Sequence, residues 1–384
     1  MKKVCVITAA RSDYGPLRWI IDGVKNCQKL QLQLLVTGGH LSIDQGLTYK
    51  HIENDGYYID EKVEMLISSE SAVGVVKSMG VCSIGIADAL HRLSPDMIIV
   101  LGDRYELIPI CSAALVMNIP IAHISGGDVT EGAIDNEIRN AITMMASIHF
   151  PGVEESAIRI RQMRNSNQSI FVVGEPGLEN FLRLPLLSRE HLANDLGLEI
   201  DRKWILVTLH PETKLSIEKN ISIAKNIIKE IILHDDFQVI ITKANSDVGG
   251  SQINSIMSEL TANDPSKFKL VSSLGQIRYL SIMKQAFCMI GNSSSGIIEA
   301  PFIGVHVINI GHRQEGRYIS NNVISISGSQ KSIKDSFKII HNTSKKNHEP
   351  DYYYGDGNTS NRIVKHILSY LYNQNAKNTN NIEC

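Results

Sequence analysis

The sequence predicts an α/β protein built from two doubly wound, Rossmann-like parallel-sheet domains, and three observations carry that expectation. Residues 3–9 and 32–37 are short, nearly uninterrupted apolar runs, as strands buried on both faces require. Each such run leads into a glycine-bearing or charged loop and then a helical stretch, the alternation of a parallel sheet. The pattern restarts past the middle of the chain, and 384 residues is about twice a typical domain.

The elements follow in order. Strand 3–9 runs into the turn Ala10-Arg11-Ser12-Asp13-Tyr14-Gly15 and a helix from Pro16 to about Cys27. Strand 32–37 ends in Gly38-Gly39-His40, strand 97–101 in Gly102-Asp103-Arg104-Tyr105-Glu106, and strand 120–124 in Ser125-Gly126-Gly127-Asp128. A last strand at 169–173 precedes Gly174-Glu175-Pro176-Gly177, whose turn chemistry suits a hinge. Strands at 204–209, 238–242, 269–271, 287–290 and 305–310 form the second set. After Tyr354-Gly355-Asp356-Gly357 an amphipathic helix spans 361–372, and the asparagine-rich end is expected to be disordered. The expected domains are 1–173, 174–353, a helical segment at 354–372 and a tail at 373–384. The two sheets are expected to face each other across a cleft, because ligands of such sheets sit beyond the carboxyl ends of the strands.

Charged residues make up 20% of the chain and the net charge is -2. No basic stripe interleaved with aromatics is present, so neither nucleic acid nor an anionic membrane is an expected partner. The six cysteines are scattered, with no metal or redox spacing, and Cys5, Cys111 and Cys288 lie inside apolar runs as reduced core residues. The first apolar run meets Arg11 and Asp13 at once, which reads as a strand rather than a signal peptide. No apolar run reaches the length of a membrane span. The expectation is a soluble, cytoplasmic protein.

Residues 291–317, GNSSSGIIEAPFIGVHVINIGHRQEGR, are composed to hold an anion. Glycines admit a ligand close to the backbone, hydroxyls donate, and a helix N-terminus adds free N–H groups. Glu299, one and a half turns into that helix, suits a ribose diol, and Arg313 and Arg317 follow the next strand. The alternative is a hydroxyl-rich cap with surface arginines.

Arg11 is a fixed cation that forks onto phosphate oxygens, or a surface turn residue. Asp103 and Arg104 follow a buried strand, where Asp103 serves as an acid or base, or caps the next helix. Asp128 and Asp135 bracket the loop GGDVTEGAIDNEIR. Neighbouring carboxylates suit proton shuffling, one ionised and one protonated. Otherwise Asp135 caps a helix starting at Asn136 and pairs with Arg139 on the surface. His210 ends a strand before Pro211, where it donates to a phosphate or shuttles a proton. No metal-ligand motif, P-loop or dinucleotide glycine fingerprint is present.

CVITAARSDYGPL, VLGDRYE, the HxxGGD..EGAIDNEIRNAI loop, LVTLHPET, IGNSSSGIIEAP, INIGHRQEGR and YGDGN occur in this order along nearly the whole chain. Together they resemble the hydrolysing UDP-N-acetylglucosamine 2-epimerase family. That resemblance implies two Rossmann-like domains of the glycosyltransferase-B type, with the last helix returning to the first domain. It implies a UDP-sugar substrate, no metal or redox cofactor, and a homo-oligomer, dimer or tetramer. The implied reaction removes the C2 proton as UDP leaves C1, then hydrates the glycal to the free 2-epimeric sugar.

The resemblance places Arg11, Arg104, His210, Ser293, Ser294 and Arg313 around the UDP phosphates or ribose. It assigns Glu299 to the ribose and lines the nucleotide site with Asn245 and the backbone near Leu274. Asp103 and Asp135 match carboxylates of the proton chemistry. At Ser125 the chain departs from the animal and non-hydrolysing branches, which carry glutamate there, and Asp128 is the nearest carboxylate to take over. The HISGGD loop and the GEPGLEN segment are more similar to the legionaminic acid branch, implying UDP-N,N'-diacetylbacillosamine as substrate, with UDP-N-acetylglucosamine the alternative. A non-hydrolysing epimerase, a glycosyltransferase and a sugar-nucleotide sensor are the more distant alternatives.

Overall fold

In the computed structural model, which describes residues 1–67, 71–129, 134–212, 215–244, 249–342 and 349–377, the apolar runs form the strands of two parallel sheets. The described residues fall into two compact units: Met1–Val129, Ile134–Asn180 and the segment from Gly355 onward make the first, and the segment Phe181–Tyr354 makes the second.

Unit 1 begins with β1 (Lys2–Thr8), α1 (Arg11–Lys25), β2 (Leu30–Thr37), α2 (Tyr49–Asn54), β3 (Glu61–Val63) and α3 (Ala72–Leu93). It continues with β4 (Met97–Leu101), α4 (Leu107–Val116), β5 (Ile121–Ile124), α5 (Asp135–Met145), β6 (Ile148–Phe150) and α6 (Glu154–Arg164). The strand order is β3-β2-β1-β4-β5-β6, all parallel, and Val6 pairs with Leu34 on one side and Ile99 on the other. The chain order reverses between β1 and β4. That switch point opens a crevice at the carboxyl ends of the strands.

The boundary between the units falls within α7 (Glu179–Arg183), so the Gly174–Gly177 turn lies inside unit 1. Unit 2 runs through α8 (Arg189–Leu196), β7 (Lys203–Thr208), α9 (Ile217–Ile232), β8 (Phe237–Thr242), α10 (Gly250–Thr261), β9 (Phe268–Val271) and α11 (Gly275–Gln285). Then come β10 (Cys288–Gly291), α12 (Glu299–Phe302), β11 (His306–Ile310), β12 (Val323–Ile326) and α13 (Gln330–Asn342). Its order, β12-β11-β10-β7-β8-β9, is the same winding, with the switch point between β7 and β10. Ile290 of β10 pairs with Val207 and Ile308.

The final helix, α14 (Thr359–Lys377), belongs to unit 1. Ile363, Val364, Ile367 and Leu371 recur at helical spacing and pack into the core formed by Val4, Val6, Leu17, Ile20 and Ile21. Glu179 starts the helix by accepting from the Ser360 backbone N–H at 2.9 Å and its hydroxyl at 2.6 Å. Removing a buried branched side chain such as Ile367 would cost about 2–5 kcal/mol. The other face of the unit 1 sheet buries Cys5, Ile7, Ile86, Leu90 and Ile110. In unit 2, Ile205, Val207, Ile227, Ile231, Phe237 and Phe337 form the corresponding core.

Several local expectations are corrected. α1 starts at Arg11, ahead of Pro16, because the Asp13 carboxylate folds back on the Ala9 and Ala10 N–H groups at 2.9 and 3.0 Å. Segment 169–173 makes only a single bridge, Ile170 to His149, and is not a strand of the sheet. The final helix runs on through Lys377, past the expected start of the tail. α3 is long and apolar enough to span a bilayer by composition, although no single run suggested it. Its Cys82, Ile86, Ala89 and Leu90 instead cover the sheet.

Candidate active site

In unit 1 the loops after β1, β4 and β5 carry the polar residues at the switch-point edge. Arg11 is exposed at the first position of α1. Beneath it Asp13 accepts from Thr8 Oγ1 at 2.7 Å, and Thr8 shares a hydrogen bond of 2.9 Å with the buried His40. This network fixes the turn that aims Arg11.

After β4, Asp103 is half-buried and is gripped by the Nη2 of Arg139. Arg139 is 4% exposed and also donates from Nη1 to the Asp128 carbonyl at 2.7 Å. One guanidinium therefore locks the β4 loop to the β5 loop. Asp135 opens α5 one turn before Arg139, so both lie on one helix face. The surface position that the alternative reading gave Arg139 is corrected, since Arg139 turns inward. Ile134, not Asp135, occupies the capping position. The Asp128 carboxylate accepts from Ser156 Oγ at 2.6 Å, leaving its second oxygen outside that bond.

His123 supports Asp103 from below. Its Nε2 lies 2.8 Å from the Gly102 carbonyl and its Nδ1 3.1 Å from Thr143 Oγ1. Burial pushes its pKa down to about 4, so the ring is neutral, donating from Nε2 to the carbonyl and accepting the threonine hydroxyl. Arg104 is held by Glu106, which is 1% exposed, through Nε at 3.2 Å and Nη2 at 2.5 Å. Burial opposes the Arg104 charge, but the Glu106 carboxylate outweighs it and raises the pKa. The other Glu106 oxygen is buried without a hydrogen-bond partner among the described residues.

Ser125 has a positive φ of 55° and donates through Oγ to Glu175 Oε2 at 3.2 Å. A Cβ on Gly152 would lie 1.9 Å from the other Glu175 oxygen, so only glycine leaves room for this carboxylate. A carboxyl group thus stands at the end of β5 although residue 125 is itself a serine.

In unit 2, Asn292 organises the switch point. Its side chain accepts from the His210 N–H at 2.8 Å and donates to the His210 carbonyl at 2.8 Å, joining the loops after β7 and β10. Its own carbonyl accepts from Arg313 Nη1 at 3.2 Å and Gln314 Nε2 at 2.9 Å, bringing in the loop after β11. Gly291 permits the approach: a Cβ there would sit 1.9 Å from the Thr208 carbonyl, at a φ of 144°. His210 is half-buried beside these groups.

The hydroxyl run is less of a helix than expected. Ser294–Gly296 is a 3-10 turn and α12 is a single turn, so Glu299 begins the helix rather than lying within it. Return hydrogen bonds from Gly304 and Val305 to Pro301 and Ala300 close α12 early. Ser293 Oγ shares a 2.9 Å hydrogen bond with Ser295 Oγ, which meets the Tyr279 hydroxyl at 2.6 Å. Ser294 is half-buried, and Leu274 is buried at the residue preceding α11. Burial raises the Glu299 carboxyl to about 7, opposed by its own backbone N–H and by Arg317. Asn245 lies outside the described residues.

Arg139, Glu106, Glu175, Asn292 and Tyr279 were not picked out from the sequence. Glu106 and Asn292 had a local signal, lying in the loops VLGDRYE and IGNSSSG themselves.

The chain matches the UDP-N-acetylglucosamine 2-epimerase family over residues 23–368. It is 37% identical to a GDP/UDP-N,N'-diacetylbacillosamine 2-epimerase (hydrolyzing) of Campylobacter jejuni, over 84% of each chain. It is 33% identical to polysialic acid biosynthesis protein P7 of Escherichia coli, over 88% of this chain and 86% of that one. A UDP-N,N'-diacetylbacillosamine 2-epimerase (hydrolyzing) of Legionella pneumophila is 29% identical over 95% of both. The solved structure of UDP-GlcNAc 2-epimerase from Neisseria meningitidis bound to UDP-GlcNAc shares the fold, with a TM-score of 0.82 at 16% identity over 96% of this chain and all of that one. With the matched family covering most of its length, the chain belongs to the UDP-N-acetylglucosamine 2-epimerase family of enzymes.

Proposed function

We propose that this enzyme is a hydrolysing UDP-sugar 2-epimerase that converts UDP-N,N'-diacetylbacillosamine to 2,4-diacetamido-2,4,6-trideoxymannose and UDP, in the cytoplasm, for a legionaminic acid-type sugar. The likeness to the hydrolysing enzymes of C. jejuni and L. pneumophila supports the substrate. The observation that carries the chemistry is Arg139, one buried guanidinium bonded to both the Asp103 carboxylate and the Asp128 loop. It fixes the Asp103 carboxylate against the backbone of the loop that carries Asp128, which supports a strand edge arranged for coupled proton transfer.

In the proposed reaction a carboxylate takes the C2 proton, the C2–H electrons form a C1–C2 double bond, and the C1–O bond breaks to release UDP. Water then adds its hydroxyl to C1 while a proton returns to C2 from the other face. The sum is UDP-sugar plus water giving UDP plus the free epimer. Asp103, Asp128 and Asp135 are the proton carriers, and Glu175 is the carboxyl group standing at Ser125. Arg11, Arg104, His210, Ser293, Ser294 and Arg313 stabilise the departing pyrophosphate. His210 also serves as a proton donor to the leaving group. Glu299 takes the ribose, with Asn245 and the backbone near Leu274 beside it. A dimer or tetramer accompanies this reading.

The test is incubation with UDP-N,N'-diacetylbacillosamine and with UDP-N-acetylglucosamine separately, following the products by NMR. Free UDP and a reducing 2-epimeric sugar are expected, faster from the diacetamido substrate. Turnover of UDP-N-acetylglucosamine alone would move the enzyme to N-acetylmannosamine production. An epimerised UDP-sugar with its C1–O bond intact would overturn the hydrolytic reading, and no turnover without an acceptor would point to a transferase.

A further inference from the structure

At the opposite edge of the unit 2 sheet, away from the loops that follow the strands, three ligand-bearing side chains converge. His234 and Asp236 lie between the end of α9 and the start of β8, and His341 lies on the last turn of α13. One ligand atom from each falls within 4.8 Å of the others. His234 Nδ1 and His341 Nε2 are 3.1 Å apart. Two nitrogens each bound at 2.0–2.1 Å to a tetrahedral zinc ion lie about 3.3 Å apart, so this spacing is close to that of a shared metal.

The surroundings favour a cation over a bare contact between rings. The remaining ring nitrogen of His234, Nε2, lies 3.4 Å from the carboxylate of Glu230, which is 6% exposed. A proton on Nε2 leaves the Nδ1 lone pair aimed at His341, the arrangement in which a carboxylate behind a histidine orients it for a metal. Ring contacts hold both imidazoles still. His234 stacks on Phe337 at 5.3 Å and 11°, and His341 lies 5.0 Å from Phe237. Lys203 donates to Asp236 Oδ2 at 2.9 Å and anchors the third ligand, the one carboxylate of the trio, through that oxygen.

We propose that His234, Asp236 and His341 form a binding site for a zinc-type divalent cation, which clasps the α9–β8 loop to the end of α13. Two imidazoles and one carboxylate suit such an ion, with water completing a tetrahedron. The ion replaces the proton that two neutral imidazoles would otherwise share. Its place at the amino ends of β7 and β8 gives it no part in holding the nucleotide, so it acts on the stability of unit 2.

The experiment uses the full chain stripped with chelator, titrated with zinc chloride by calorimetry and followed by thermal unfolding with and without zinc. One equivalent is expected to bind, and the unfolding midpoint to rise with zinc. In His341→Ala the affinity falls at least about tenfold and the zinc-dependent rise disappears. Asp236→Asn weakens zinc as well, and serves if His341→Ala disturbs α13. UDP affinity is expected to be the same in all three proteins with or without zinc. No uptake by the unaltered protein would overturn the proposal, and so would uptake that both variants retain unchanged, which would place zinc on other thiols or imidazoles.

Discussion

The two units wind their sheets in the same order and yet each dresses its own switch-point crevice in a different way. In unit 1 the loops after β4 and β5 are held by side-chain charge: Arg139 grips the Asp103 carboxylate while also donating to the Asp128 carbonyl, and Arg104 is tied to Glu106. In unit 2 the loops after β7, β10 and β11 are tied through backbone, with Asn292 bonded to both main-chain groups of His210 while its own carbonyl receives Arg313 and Gln314. The fold thus supplies a place and the loops supply the chemistry. Charge locked by charge suits groups that must exchange protons. A backbone-lined loop with hydroxyls suits a ligand that arrives carrying its own negative charge.

The largest effect that follows concerns the acidic side. Asp103→Asn and Asp135→Asn are expected to lower kcat by about 10²–10⁴, the usual loss when a positioned acid or base is removed. UDP affinity should change little, because neither aspartate is among the residues proposed to hold UDP. Measuring UDP binding by calorimetry beside single-turnover rates separates the two. A variant that loses UDP as severely as it loses rate would collapse the contrast between the units.

This contrast was only partly legible in the sequence. The apolar runs announced parallel strands because both faces of each are buried, and the loops after them were visible as breaks in that pattern. The residues that fix the loops were harder to see. Local spacing puts Arg139 on the surface beside Asp135, four residues away, whereas it is buried and grips Asp103, thirty-six residues distant. Glu175 meets Ser125 fifty residues earlier, in a space set by the missing side chain of Gly152. Such contacts depend on which strands become neighbours, and local spacing does not carry that information. The shortness of α12 has a different reason: IIEAPF has an apolar helical flavour, but the chain closes on itself at once through the local return bonds from Gly304 to Pro301 and from Val305 to Ala300.

On the unit 2 side, Asn292→Ala should unfasten the loop after β7 from the loop after β10 while leaving the main-chain bonds to Arg313 and Gln314 in place. It strips the His210 N–H and carbonyl of their partner, and leaving such a buried group unmade costs about 1–3 kcal/mol. Chemical denaturation should show that loss, and UDP binding should weaken with it. Asn292→Asp, which keeps the acceptor and loses the donor, should fall between. Arg313→Ala and Ser294→Ala should weaken UDP about tenfold or less while leaving the denaturation midpoint nearly unchanged. An unaltered dissociation constant in Arg313→Ala would remove that residue from the pyrophosphate.

The smallest and most diagnostic effect lies at Glu299, the one acid among the unit 2 residues proposed to hold the nucleotide. Its pKa is raised by burial from 4.5 to about 7, so the folded protein holds this proton over a range where the unfolded chain has released it. Stability from this group is therefore full below about pH 4.5 and is lost as pH rises through about 7. Glu299→Gln, which cannot ionise, should match the unaltered protein in unfolding midpoint at pH 5 and exceed it at pH 8. If the ionised carboxylate accepts the ribose hydroxyls, UDP affinity of the unaltered protein should fall as pH drops below 7, while the variant binds weakly and without that dependence. Parallel pH curves for the two proteins would mean that Glu299 does not meet the ribose as a carboxylate.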